Sequence, residues 1–309
     1  MKLHVLGSAA GGGFPQWNCN CGMCDGLRSG KLNAKARTQS SIAISDDGID
    51  WALFNTSPDI LQQLKAFPGS QPARSLRDTG IKSVCLLDAQ IDHTTGLLML
   101  REHNRPLDLF TTAPVHEDLS TGNPLLGVLE YYCGVNWNEI KLDDNTINLP
   151  GALSVDIQPI PLTSNAPPYS PRRDQPVPGD TLGVLMHDTV SNKKLFYAPG
   201  LGEMETPVWD AMQQADVVLV DGTMWTDDEM IKAGASQKTA ASMGHLAQTG
   251  SGGMTEWLDK LPSSTRKILI HINNTNPILN EDGPERALLK EHGIEVAEDG
   301  MQVLLEPDA

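Results

Sequence analysis

Leu87-Asp88-Ala89-Gln90-Ile91-Asp92-His93-Thr94-Thr95-Gly96 decides how this chain is read. The apolar run Ser83–Leu87 before it suits a strand buried on both faces. Polar residues then open a loop, and Leu97-Leu98-Met99-Leu100 reads as the start of a helix. Asp92 and His93 are adjacent, so they meet one ion only from a loop or a helix start. A third ligand must come from far away. His271 supplies it, at the end of the apolar run Arg266–Ile270, where strand-to-loop junctions build sites.

Working outward, short apolar runs end repeatedly in Gly, Pro, Asn or Asp. Residues 40–44 and 51–55 flank the turn signal Asp46-Asp47-Gly48 and read as consecutive strands. Residues 58–64 read as a short helix with an early proline. Strands are expected over 153–157, 182–186, 194–198 and 216–220, and a helix–strand unit over 254–261 and 266–270. Many strands with few helices make an α/β chain whose sheets are covered on their outer faces. No repeat period or low-complexity linker divides it, so one domain of two similar halves is expected over residues 1–309.

A second cluster lies near the N-terminus. Cys19-Asn20-Cys21-Gly22-Met23-Cys24 follows three glycines and Pro15, and three thiolates this close suit a structural Zn(II). A disulfide would leave one thiol over, and a redox reading of Cys21 and Cys24 lacks the usual strand–helix context. Cys85 and Cys133 read as packing thiols.

The chain has 309 residues, with 39 acidic against 23 basic side chains and a formal charge of -16. Such a field repels nucleic acid and anionic membrane, and neither is expected as a partner. No run approaches the length of a membrane span and no targeting segment is visible, so a cytoplasmic location is expected.

Asp88-x-Gln90-x-Asp92-His93 resembles the metallo-β-lactamase signature H-x-H-x-D-H with both leading histidines replaced. From Gly7-Ser8-Ala9-Ala10-Gly11-Gly12-Gly13-Phe14-Pro15-Gln16-Trp17 to His271-Ile272-Asn273-Asn274-Thr275-Asn276-Pro277, the whole chain is similar to one branch of that family. That branch serves pyrroloquinoline quinone (PQQ) biosynthesis. The resemblance implies an αββα sandwich with the site at one edge of two sheets. It also sorts the ligands. The first-metal positions hold Asp88 and Gln90, no histidine stands near residues 163–165, and Ala198-Pro199-Gly200 replaces the bridging aspartate's segment. The first site therefore looks dismantled, while Asp92, His93 and His271 match the second.

Two histidines and one carboxylate make the facial triad of non-haem Fe(II) oxygenases. The activity implied is Fe(II)- and O₂-dependent hydroxylation of the tyrosine ring in a carboxylate-rich, Glu–Tyr derived diamino acid. His245 matches a family position near the metal and is a candidate acid or base, or else a core histidine. Asp221 is a candidate to orient a ligand or the substrate amine, or else an N-cap. Asn274 stands where a related branch has the fourth zinc ligand. Arg172, Arg173, Arg37 and Lys35 are candidates for the substrate carboxylates, and Tyr169 for stacking on its ring, with Asp88 and Gln90 beside them. Two other functions stay open: a carrier that binds PQQ or its precursor and helps deliver it to the periplasm, and a single-metal hydrolase. Other proteins of the pathway and a second copy of the chain stay open as partners.

Overall fold

In the computed structural model, residues 1–143 and 145–307 are described; positions 144, 308 and 309 of the expected 1–309 span lie outside. The strands run β1 Lys2–Gly7, β2 Ser41–Ser45, β3 Trp51–Phe54, β4 Ile81–Cys85, β5 Leu107–Thr111, β6 Val135–Glu139 and β7 Ile147–Leu149. They continue as β8 Ala152–Pro161, β9 Leu182–Asp188, β10 Lys193–Ala198, β11 Val217–Asp221, β12 Arg266–Ile270, β13 Ile294–Val296 and β14 Gln302–Leu304. One sheet has the order β14-β1-β2-β3-β4-β5-β6, and the other β13-β12-β11-β10-β9-β8-β7.

Three apolar layers follow from the period of two along each strand. In β10, Leu195 and Tyr197 point between the sheets, while Phe196 and Ala198 point to the outer face. In β12, Ile268 and Ile270 point inward and Leu269 outward. The segment from Val84 to Leu87 alternates likewise between the central layer and the outer layer of the first sheet. Strands buried on both faces explain the unbroken apolar runs. Each fully buried Leu or Ile contributes about 1.5–3 kcal/mol.

Helices cover both outer faces. Ile60–Ala66, Ala113–Ser120 and Leu125–Leu129 pack on the first sheet, and Thr206–Gln214, Met254–Asp259 and Pro284–Glu291 on the second. The result is an αββα sandwich. Where a helix was expected at Leu97–Leu100, the chain forms tighter 3₁₀ turns over Thr95–Leu100. Gly96 lets these turns lie against the backbone of Thr56 and Ser57. A Cβ there would fall 2.2 Å from the carbonyl oxygen of Ser57.

Candidate metal centre

The polar residues gather where several strands end together. The loop after β4 leads into the one-turn helix Ile91–Thr94, which carries Asp92 and His93. Asn55 sets the start of that loop, its side-chain oxygen accepting from the backbone N–H of Leu87 at 3.1 Å. β11 ends at Asp221, and β12 ends one residue before His271. The loop after β1 is tied in by a bridge between Ala9 and Ile272.

Ligand-capable atoms of Asp92, His93 and His271 all lie within 4.8 Å of one another. Asp92 Oδ2 is 3.4 Å from His271 Nε2 and 3.7 Å from His93 Nε2. Ligands at right angles on an ion, with bonds of about 2.0–2.2 Å, stand about 3 Å apart. The spacing therefore needs little adjustment to close on a cation. His93 Nε2 is buried without a hydrogen-bond partner. An orphaned imidazole nitrogen facing a carboxylate is what a metal site without its ion presents. Gly11 keeps the space open, since a Cβ there would come 3.2 Å from Asp92 Oδ2. His271 takes φ of 61°, a left-handed conformation that a histidine adopts at a cost of about 1–3 kcal/mol.

Each imidazole is turned by a partner on its other nitrogen. His93 Nδ1 lies 2.9 and 2.7 Å from the two carboxylate oxygens of Asp88. His245 Nδ1 lies 2.6 Å from Asp221 Oδ2. A carboxylate only accepts, so both Nδ1 atoms carry the hydrogen. The Thr223 hydroxyl donates to Asp221 Oδ1 at 2.6 Å and accepts from His271 Nδ1 at 2.9 Å. Nε2 of each ring is thereby the atom left to meet a cation, which would displace any proton it carries. Burial works against charge on His93, but the Asp88 and Asp92 carboxylates outweigh it and push the imidazole up to about 9. Burial also opposes charge on His245, where Asp221 outweighs it and the pKa rises. Burial dominates at His271 and lowers its pKa.

Several expectations change here. Asp88 lines the cavity, but it is buried and its carboxylate holds His93. Asp221 is fully buried, accepts from the N–H groups of Leu201 and Thr223, and holds His245 Nδ1. Gln90 lines the cavity but its amide donates to the carbonyl of Asn165 at 2.9 Å. Arg172 is spent on Glu117, Asp118 and Asp180 at 2.6–2.9 Å. Tyr169 donates its hydroxyl to the carbonyl of Ala89 and packs with the outer layer of the first sheet. Arg37 is buried against Ser8 and Ala297, and Lys35 pairs with Glu298 and Glu281. Arg173 does line the cavity. Thr223 is the residue that the sequence reading missed. Only its place after the Val217–Val220 run pointed to it.

The cavity over these groups measures about 330 Å³. Its walls include Gln16, Ser164, Arg173, Lys238 and Asn273, with the thioethers of Met224, Met230 and Met243. The cysteine cluster stands beside it. Cys19, Cys21 and Cys24 converge, and the Asn274 amide nitrogen lies 3.2, 3.7 and 3.3 Å from their sulfurs. A half-turn of that amide presents its oxygen to the same three sulfurs. Burial raises the Cys19 thiol, but hydrogen bonds from Cys21, Cys24 and Asn274 outweigh it and hold its pKa below the usual value.

Fold and site together define a metallo-β-lactamase-type protein, and residues 50–272 match the family model described as the β-lactamase superfamily domain. The chain is 67% identical over 305 residues to coenzyme PQQ synthesis protein B of Azoarcus sp. (strain BH72), covering 99% of this chain and 100% of the relative. It is 58% identical over 310 residues to the protein of that name from Nitrosococcus oceani, with coverage of 99% and 100%. The crystal structure of Zn(2+)-bound PqqB from Methylobacterium extorquens superposes with a TM-score of 0.90 at 34% identity, covering 98% of this chain and 100% of that one. This chain belongs to the coenzyme PQQ synthesis protein B family.

Proposed function

We propose that this chain acts in PQQ biosynthesis as an Fe(II)- and O₂-dependent hydroxylase. Its substrate is the tyrosine ring of a Glu–Tyr derived diamino acid. The observation that carries the reading is the triad of Asp92, His93 and His271 around the orphaned Nε2 of His93. Two histidines and one carboxylate would hold Fe(II) by one face, and such a centre supplies O₂ activation beside a bound substrate. Each ring hydroxylation consumes one O₂, two electrons from a reductant and two protons. One oxygen enters the ring and the other leaves as water.

The chain's own residues do the rest. Asp88 and Thr223 fix the tautomers of His93 and His271, so that both offer Nε2 lone pairs. His245 holds its Nδ1 hydrogen on Asp221 and keeps Nε2 free to take or return the phenol proton. The methionine-lined wall receives the ring and excludes water. The Cys₃ cluster with Asn274 would hold a structural Zn(II) and fix the loop that carries His271.

Support comes from the match to coenzyme PQQ synthesis protein B of Azoarcus sp. and from the donor set. The same donors also take Zn²⁺ more tightly than Fe²⁺, and the Methylobacterium extorquens relative was solved as a Zn(2+)-bound protein. The test is anaerobic loading with Fe(II), addition of the diamino acid and ascorbate, then O₂, with mass followed. Gain of oxygen supports the reading. Tight binding without turnover replaces it with a carrier, and cleavage of the substrate replaces it with a single-metal hydrolase.

A further inference from the structure

Arg172 and Arg173 are neighbours in sequence with opposite fates. Arg172 is held by three carboxylates. Arg173 lines the cavity and donates to the backbone carbonyl of Ala166; among the described residues it makes no ion pair. A second cation on the cavity wall, Lys238, is exposed and makes no ion pair among the described residues either. Arg173 and Lys238 are the cationic Arg and Lys side chains on the wall of this cavity, and neither is neutralised by a carboxylate among the described residues.

The loops that carry them are built for placement. Arg173 is anchored at the end of the segment that begins after β8. Asn165 of that segment donates to the carbonyl of Ser242 at 3.1 Å, and Ser164 donates to that of Gly244 at 3.0 Å. Lys238 lies just before this stitched turn, whose Thr239 N–H donates to Ser242 Oγ at 2.9 Å. Gln90 ties the same segment to the metal loop through Asn165. The two cations thus sit on one hydrogen-bonded frame that ends at Asp92 and His93.

We propose that Lys238 and Arg173 together read two carboxylates of the substrate and so determine specificity for an amino-acid-derived dianion or polyanion. This rests on the substrate class proposed above. Arg173 supplies a planar fork for one carboxylate, and Lys238 a compact charge for another.

The experiment is calorimetric titration of the anaerobic Fe(II)-loaded protein with the Glu–Tyr derived diamino acid and with its esterified analogue. K238Q and R173Q are each expected to raise Kd about tenfold, and the double variant about a hundredfold. K238R and R173K should recover part of the loss. Esterification should weaken binding to the wild type strongly and to the double variant little. Equal Kd values in wild type and double variant, or no binding of the diamino acid by the wild type, would overturn the assignment. The outcomes separate this proposal from the hydroxylase reading. Binding that depends on both cations without oxygen insertion leaves the assignment standing and removes the chemistry. Oxygen insertion with a Kd unmoved by both substitutions does the reverse.

Discussion

Asp88 lies with both carboxylate oxygens within 2.9 Å of His93 Nδ1. At the position where the resemblance places a first-metal histidine, the chain carries a carboxylate that serves the ligand of another site. A carboxylate behind a metal-binding histidine fixes its ring and raises its basicity, and losing such a partner costs about 10- to 100-fold in metal affinity. Asp88→Ala is expected to weaken Fe(II) retention by that factor, and Asp88→Asn by less, since its oxygen still accepts. Competition with a chelator measures both. Unchanged retention in Asp88→Ala would contradict the role.

Thr223 offers one hydroxyl to two sides, donating to Asp221 and accepting from His271. Thr223→Val keeps the shape and removes both bonds. The His271 ring then loses its fixed tautomer, and metal affinity should fall about tenfold or more. Thr223→Ser keeps the hydroxyl and should retain most of the affinity. A valine variant with full affinity would show that packing alone holds the ring.

His271 and Asn274 are three residues apart on one loop. The first faces the Asp92 carboxylate and the second faces Cys19, Cys21 and Cys24. Replacing the three cysteines by serine should abolish one equivalent of bound zinc and also weaken iron binding, because the shared loop loses its anchor. Elemental analysis and iron titration check the two effects together. Full iron affinity in the zinc-free variant would separate the two sites.

Glu229 is buried next to this loop, accepting from the Trp225 N–H at 2.6 Å and the Thr275 hydroxyl at 2.5 Å. Burial pushes its carboxyl up to about 7 from an ordinary 4.5. The folded state therefore binds the proton more tightly than the unfolded state. Its contribution is most favourable below about 4.5 and is lost as pH rises to about 7, a span of about 3 kcal/mol at most. Glu229→Gln is uncharged like the protonated form: its oxygen can still accept from the Trp225 N–H, while its amide nitrogen faces the Thr275 hydroxyl and donates to it. The variant should gain on the wild type as pH rises from 4.5 to 7 in denaturant titrations. A constant difference across that range would contradict the assignment.

Much of the fold was legible because its strands are buried on both faces. Runs such as Leu195–Ala198 and Val217–Val220 are apolar without interruption. Edge strands were not legible: β6 reads Val-Asn-Trp-Asn-Glu and is largely exposed, and its alternating Val135 and Trp137 are too few to mark a strand. The grouping of Asp92, His93 and His271 could be read because Asp, His and strand ends are distinctive. Roles set only by tertiary neighbours could not. Nothing in the sequence tells Arg172 from Arg173, yet one meets Glu117, Asp118 and Asp180 and the other meets the cavity. Thr223 is likewise an ordinary residue until β11 and β12 end side by side.

The central claim is that an oxygen atom from O₂ enters a ring bound over Asp92, His93 and His271. Isotope labelling measures this directly. The Fe(II)-loaded protein is given the diamino acid and ascorbate under ¹⁸O₂ in ordinary water, and in parallel under ordinary O₂ in H₂¹⁸O. The account predicts ring label from ¹⁸O₂ and none from water, with the signal lost in His271→Ala. Product that carries the water oxygen, or label that persists in His271→Ala, would contradict it.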